Sequence, residues 1–127
     1  MESIIKILIV DNDETFLKIT NDWFREQGFA VMTARSGEEA LTILDHHLAD
    51  VVLMDVAMSP MSGIEVFEKI KANPKTSAIP VFMISNVGEA EYISRARDLG
   101  AAGYFVKSNF SLKDLSEKID RILHMGQ

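Results

Sequence analysis

The sequence predicts an α/β domain: a parallel five-stranded sheet with helices on both faces. Two observations predict it. Five short Val/Ile/Leu-rich runs, at residues 4–10, 30–33, 51–54, 81–84 and 104–106, are β-branched or aromatic enough to be strands. After each comes a segment whose apolar residues recur at helical spacing. Such strict alternation implies a doubly wound sheet whose parallel strands are joined by right-handed crossovers and buried on both sides.

In the first helical segment Phe16, Ile19, Thr20, Trp23 and Phe24 share a face, and Gly28 is its C-terminal stop. The second carries Ala40, Leu41, Ile43, Leu44 and Leu48, with Ser36 and Glu39 at capping-box spacing ahead of it. Ile64, Phe67 and Ile70 make the third face, behind a second capping pair, Ser62 and Glu65. The fourth sets Tyr92, Ile93, Ala96 and Leu99 on one side and ends at Gly100. Leu112, Leu115, Ile119, Ile122 and Leu123 form the last, following a Ser111 to Asp114 cap signal.

A chain of 127 residues is the size of one domain, so residues 1–127 are read as a single unit. With 47% hydrophobic and 25% charged residues its composition is that of a soluble globular protein, and no apolar run is long enough to span a bilayer. Met1-Glu2-Ser3 leads directly into Ile4 without the features of a secretory signal, which points to the cytoplasm. The absence of cysteine excludes disulfides and thiolate metal sites and fits a reducing compartment. A net charge of -6 argues against direct nucleic-acid binding, so any DNA-binding activity would come from another domain or a partner. The seven methionines read as core filler, and His46, His47 and His124 as surface residues.

In doubly wound sheets, ligands sit beyond the carboxyl ends of the strands. Four of the five strand ends here carry chemistry suited to a phosphate: Asp11-Asn12-Asp13, Asp55, Ser85 and Lys107. Each has a plainer reading alone. Asp11 and Asp13 could cap the first helix, Ser85 could be a turn residue and Lys107 a solvated one. Asp55 is harder to dismiss, because it ends a strand that should be buried. The set, in this order, favours a functional rim.

The motifs are Ile7-Leu8-Ile9-Val10-Asp11-Asn12-Asp13-Glu14, then Asp50-Val51-Val52-Leu53-Met54-Asp55 with Met58, Pro60, Met61 and Gly63 following. Later come Ile79-Pro80-Val81 leading to Ser85, and Gly103-Tyr104-Phe105-Val106-Lys107. Over essentially its whole length the chain resembles the receiver domain of two-component response regulators. The resemblance implies a flavodoxin-like (βα)5 sandwich with strand order 2-1-3-4-5, which sets the first acidic loop beside Asp55. It implies that Asp55 is the phosphoacceptor. A carboxylate can attack phosphorus provided that neighbouring groups neutralise the charge on the phosphoryl oxygens, and Lys107, Ser85 and Mg2+ are the candidates. Asp11, Asn12, Asp55 and the Ala57 backbone carbonyl would suit Mg2+, which takes oxygen ligands and keeps waters. The resemblance makes Ser85 and Tyr104 a switch pair and places Ala57 and Val87 at positions that tune phosphate lifetime. Neither of those last two side chains can hydrogen-bond a hydrolytic water, so slow self-dephosphorylation is expected. The implied phosphoryl donor is a histidine kinase or phosphotransfer protein. A downstream effector or second copy would dock on the face of the fourth helix, fifth strand and fifth helix. Such chemistry does not make the chain a turnover enzyme.

Three departures from the family pattern matter. Asn12 replaces a second consecutive acid and removes one negative charge, which weakens rather than abolishes Mg2+ binding; Asp13, one place on, either caps the helix or supplies that charge. Ser108 replaces the proline that usually follows the lysine at a cis junction, so the Lys107-Ser108 bond is either trans or strained. Ser59 replaces the proline expected after Met58, with Pro60 one place later. Two rivals remain open. Asn12 and Ser108 favour a phosphorylation-independent pseudo-receiver that binds through its surface. Asp11-x-Asp13-x-Thr15 also fits the signature of a haloacid dehalogenase type phosphatase with Asp11 as nucleophile. That reading leaves Asp55 without a role and lacks an acidic pair after Lys107.

Overall fold

The computed structural model describes residues 4–86 and 90–125. Strands β1 (Lys6–Val10), β2 (Ala30–Ala34), β3 (Val51–Asp55), β4 (Val81–Ser85) and β5 (Gly103–Val106) alternate with helices α1 (Glu14–Glu26), α2 (Gly37–His46), α3 (Gly63–Ala72), α4 (Ala90–Asp98) and α5 (Leu112–Met125). The sheet is parallel throughout, in the order β2-β1-β3-β4-β5, as expected. Val10 stands beside Ala34 and Met54, Asp55 beside Ile84, and Ser85 beside Val106. This register brings the C-terminal ends of the strands to a single rim. Among the described residues no helix is long and apolar enough to cross a membrane.

Alternation along each strand divides the core in two. Ile7, Ile9, Leu53, Phe82 and Ile84 face α1 and α5, where they meet Leu17, Phe24, Leu115 and Ile119. Leu8, Val10, Val52, Met54 and Met83 face the opposite side and pack on Ala40, Leu44, Ile64, Phe67, Ile70 and Ala96 from α2, α3 and α4. Phe24, Phe67 and Phe82 are fully buried. Burying each such side chain stabilises the fold by roughly 1.5–3 kcal/mol relative to exposure.

Helix ends follow the local chemistry. Ser62 and Glu65 form a reciprocal capping box, while the Ser36 and Ser111 hydroxyls accept from the Glu39 and Asp114 amides. Helices α1 and α4 both end in Schellman turns. The Phe29 amide donates to the Phe24 carbonyl and the Ala101 amide to that of Ala96, around Gly28 and Gly100 at φ +92° and +89°.

Several boundaries differ from expectation. Strand β1 starts at Lys6, leaving Ile4 65% exposed, and β2, β3 and β4 each extend one residue further, so that Asp55 and Ser85 lie inside the sheet. Gly103 opens β5. Ile19 points away from the core, because the buried stripe of α1 is Leu17, Thr20 and Phe24 and Ile19 sits about 200° round the helix from Leu17. Leu48 lies beyond the end of α2 and is exposed.

Candidate functional site

Asp55 is the last residue of β3 and only 3% exposed. The Val56 amide donates to the Ile84 carbonyl, and the Gly63 amide to the Val56 carbonyl, so the start of α3 is drawn against the end of the strand. A Cβ on Gly63 would lie 2.0 Å from the Asp55 carbonyl oxygen. Only glycine permits this approach.

Asp11 follows β1 and is fully buried; its amide extends the ladder by donating to the Ala34 carbonyl. Oδ1 accepts from the Asp13 amide at 2.8 Å. Oδ2 lies 2.7 Å from Lys107 Nζ, an ion pair outside hydrogen-bond geometry, so this oxygen has no hydrogen-bond donor among the described residues. Lys107 begins a 3-10 turn, Lys107–Asn109, and is 18% exposed; its ammonium also lies over the Phe16 ring, 4.7 Å from the centroid. Among the described residues the single cis peptide is Ser59-Pro60, so the Lys107-Ser108 bond is trans.

Asp11 and Asp55 press two carboxylates into one buried pocket. Burial first, and then the Asp11 charge, push the Asp55 carboxyl from an ordinary value of 3.8 up to about 7. The Lys107 charge and a hydrogen bond from the Ala57 backbone amide pull the other way, and a hydrogen bond with the Asp11 carboxyl adds to the rise. Ser85 closes β4 and is 1% exposed. Its hydroxyl accepts from the Tyr104 hydroxyl at 2.6 Å and donates to the Asn86 carbonyl at 3.3 Å. The Tyr104 side chain is therefore turned towards Ser85.

The other candidates divide. Asp13 caps α1, accepting from the Thr15 and Phe16 amides at 3.0 and 3.2 Å through Oδ1. Asn12 and Ala57 are exposed at the rim, and Val87 lies outside the described residues. No group of three or more His, Cys, Asp or Glu side chains that could hold a metal ion converges among the described residues; the carboxylates that meet in the pocket are Asp11 and Asp55. These residues still fit a hard divalent cation. The buried Asp11 Oδ2 lacks a hydrogen-bond donor beside a second carboxylate, and Mg2+ takes few protein oxygens and keeps several waters. The sequence places Phe16 only on the apolar face of α1; its position under Lys107 joins residues far apart in the chain and has no local signal.

Residues 7–120 match the family described as the response regulator receiver domain. The chain is 36% identical to the chemotaxis protein CheY-3 of Vibrio cholerae serotype O1, over 96% of this chain and 97% of that protein. It is 34% identical to the probable transcriptional regulator ycf27 of Guillardia theta over 97% of its own length, and spans about half (47%) of that relative. The fold is similar to that of a CheY-like response regulator receiver domain protein from Methanospirillum hungatei JF-1, with TM-score 0.87, 27% identity, and coverage of 95% of this chain and 94% of the other. A receiver domain protein from Clostridium thermocellum gives TM-score 0.87 and 27% identity over 97% of both chains. With the profile match running from β1 into α5, the chain belongs to the response regulator receiver domain family.

Proposed function

We propose that this receiver domain takes a phosphoryl group from a histidine kinase or phosphotransfer protein onto Asp55 and signals through Ser85 and Tyr104. Receiver domains are signalling modules of two-component systems rather than typical enzymes. An Asp55 carboxylate oxygen would attack phosphorus, forming an O–P bond as the P–N bond to the donor histidine breaks and the imidazole departs with the electron pair. Charge would gather on the phosphoryl oxygens. Lys107 supplies a positive charge beside the acceptor, and the Ser85 hydroxyl supplies a donor once it leaves the Asn86 carbonyl. Asp11, Asn12, Asp55 and the Ala57 carbonyl would hold Mg2+, with Asp13 occupied as a cap. Bound there, the ion would neutralise charge on the phosphoryl oxygens.

One observation carries the reading: Asp11, Asp55 and Lys107, from the C-terminal ends of three different strands, meet in one buried pocket. The Tyr104 to Ser85 hydrogen bond supports the switch, since a Ser85 side chain that turns to donate to phosphate would move the oxygen that accepts from Tyr104. Beside Tyr104, Ile93, Ala96, Arg97, Ala101 and Gly103 line a cavity of about 240 Å3 between α4 and β5, on the face assigned to an effector or a second copy.

Intact mass with and without acetyl phosphate or phosphoramidate plus Mg2+, on the wild type and Asp55→Ala, tests the proposal. The expected result is a labile, metal-dependent adduct that is absent from the mutant. A folded wild type without adduct would favour the phosphorylation-independent binding module. An adduct kept in Asp55→Ala but lost in Asp11→Ala would favour the phosphatase reading.

A further inference from the structure

We propose that Phe16 is a positioning residue for Lys107, its ring acting as the second wall that keeps the ammonium inside the pocket. The inference rests on the phosphoacceptor reading of the rim. Lys107 Nζ is bracketed by Asp11 Oδ2 at 2.7 Å and the Phe16 ring at 4.7 Å. Phe16 lies in the first turn of α1 and its amide donates to the Asp13 cap, so helix and rim share one anchor. Phe110, just beyond the turn that carries Lys107, packs on Phe16 with centroids 6.0 Å apart, and Phe105 meets Phe110 edge-on at 5.6 Å. These contacts hold the Phe16 ring.

The ring does more than fill space. An aromatic face carries negative quadrupole charge and attracts an ammonium, whereas an aliphatic side chain of the same bulk does not. The Lys107 side chain is only 18% exposed and its ammonium is paired with a fully buried carboxylate, a partly desolvated setting in which that attraction is stronger than at an open surface. Lysine is a point charge on a flexible stem, and nothing in its own geometry aims it. The trans Lys107-Ser108 bond leads straight into the 3-10 turn, so the side chain takes its aim from Asp11 and Phe16. When Asp11 is engaged elsewhere, the ring remains to hold the charge near Asp55.

The test compares wild type with Phe16→Leu, Phe16→Met and Phe16→Tyr in the full chain. Proton NMR of the Lys107 ε-methylene reads the contact directly, and the rate of adduct formation from acetyl phosphate with Mg2+ reads its effect. The ε-methylene protons should be shifted upfield by the ring in wild type and Phe16→Tyr, and not in the Leu and Met variants. Adduct formation should slow by roughly three- to tenfold in either aliphatic variant and recover in Phe16→Tyr. Two aliphatic variants of different shape guard against one that folds poorly. Absence of the upfield shift in wild type, or unchanged rates in folded Phe16→Leu and Phe16→Met, overturns the proposal. A wild type that forms no adduct refutes the phosphoacceptor reading instead, and the upfield shift then decides alone whether Phe16 holds Lys107.

Discussion

Replacing Asp55 with asparagine should make the metal-free protein more stable at neutral and alkaline pH. The side chain keeps its shape and loses its charge. In the folded protein the Asp55 carboxyl titrates near 7 against an ordinary value of 3.8, chiefly because of burial and secondarily because of Asp11. For a carboxyl raised in this way, the folded state binds more protons than the unfolded state across the interval between the two values. Stability is therefore fully present below 3.8 and is lost as pH climbs through about 7. At about 1.4 kcal/mol per pH unit the loss reaches a ceiling of about 3 kcal/mol at pH 6 and about 4 kcal/mol at pH 8. The neutral amide of the Asp55→Asn variant escapes this loss. Urea unfolding followed by far-UV circular dichroism, with chelator present, should show Asp55→Asn more stable than wild type by about 2–4 kcal/mol at pH 8. The gap should narrow by about 1 kcal/mol at pH 6. Millimolar Mg2+ should stabilise wild type more than Asp55→Asn, since an ionised carboxylate holds the cation more strongly than an amide oxygen does. A gap of the same size at both pH values, or a mutant less stable than wild type at pH 8, would refute the argument that charge burial strains this pocket.

Asn12→Asp should tighten Mg2+ binding by roughly fifteen- to thirtyfold, the effect of one more carboxylate about 4–5 Å from a divalent ion at near-water dielectric, as read by calorimetric titration. Ala57→Asn should shorten the phosphoryl half-life several-fold, because its amide can hydrogen-bond a hydrolytic water; time-resolved intact mass measures it. Gly63→Ala should destabilise the fold by about 1–3 kcal/mol in urea and slow adduct formation, as its methyl must push the start of α3 off the Asp55 carbonyl.

Much of this architecture is legible because local signals and tertiary demands agree. The Ser62 and Glu65 pair reads as a capping box and is one, and Gly28 and Gly100 stop their helices through positive φ. The strand ends are read short for an instructive reason. Asp55 and Ser85 are polar, so an apolar run stops before them, yet both remain in the sheet and are buried. Two buried polar residues break the apolar pattern at those positions, as local rules are broken where a site is built. Asp13 could not be assigned from spacing alone, because a carboxylate before a helix suits both a cap and a cation; two amide hydrogen bonds to Oδ1 make it the cap. Helical spacing puts Ile19 and Leu48 on apolar faces, but the buried stripe of α1 runs through Leu17, Thr20 and Phe24, and α2 ends before Leu48, so both are exposed. The aim of Lys107 was illegible, since it depends on Asp11 and Phe16, which reach it only through folding.

The molecule also carries its own optical probe. Trp23 is the sole tryptophan, and its indole N–H donates to the Ser116 hydroxyl at 3.0 Å across the seam between α1 and α5. Tyr104, on the opposite side of the sheet, packs with the α2, α3 and α4 layer. Indole emission is sensitive to hydrogen bonding and solvent, so its colour reports on the side remote from the tyrosine. A spectral change on phosphorylation would mean that the rearrangement crosses the sheet, and an unchanged spectrum would confine it to the α4 side.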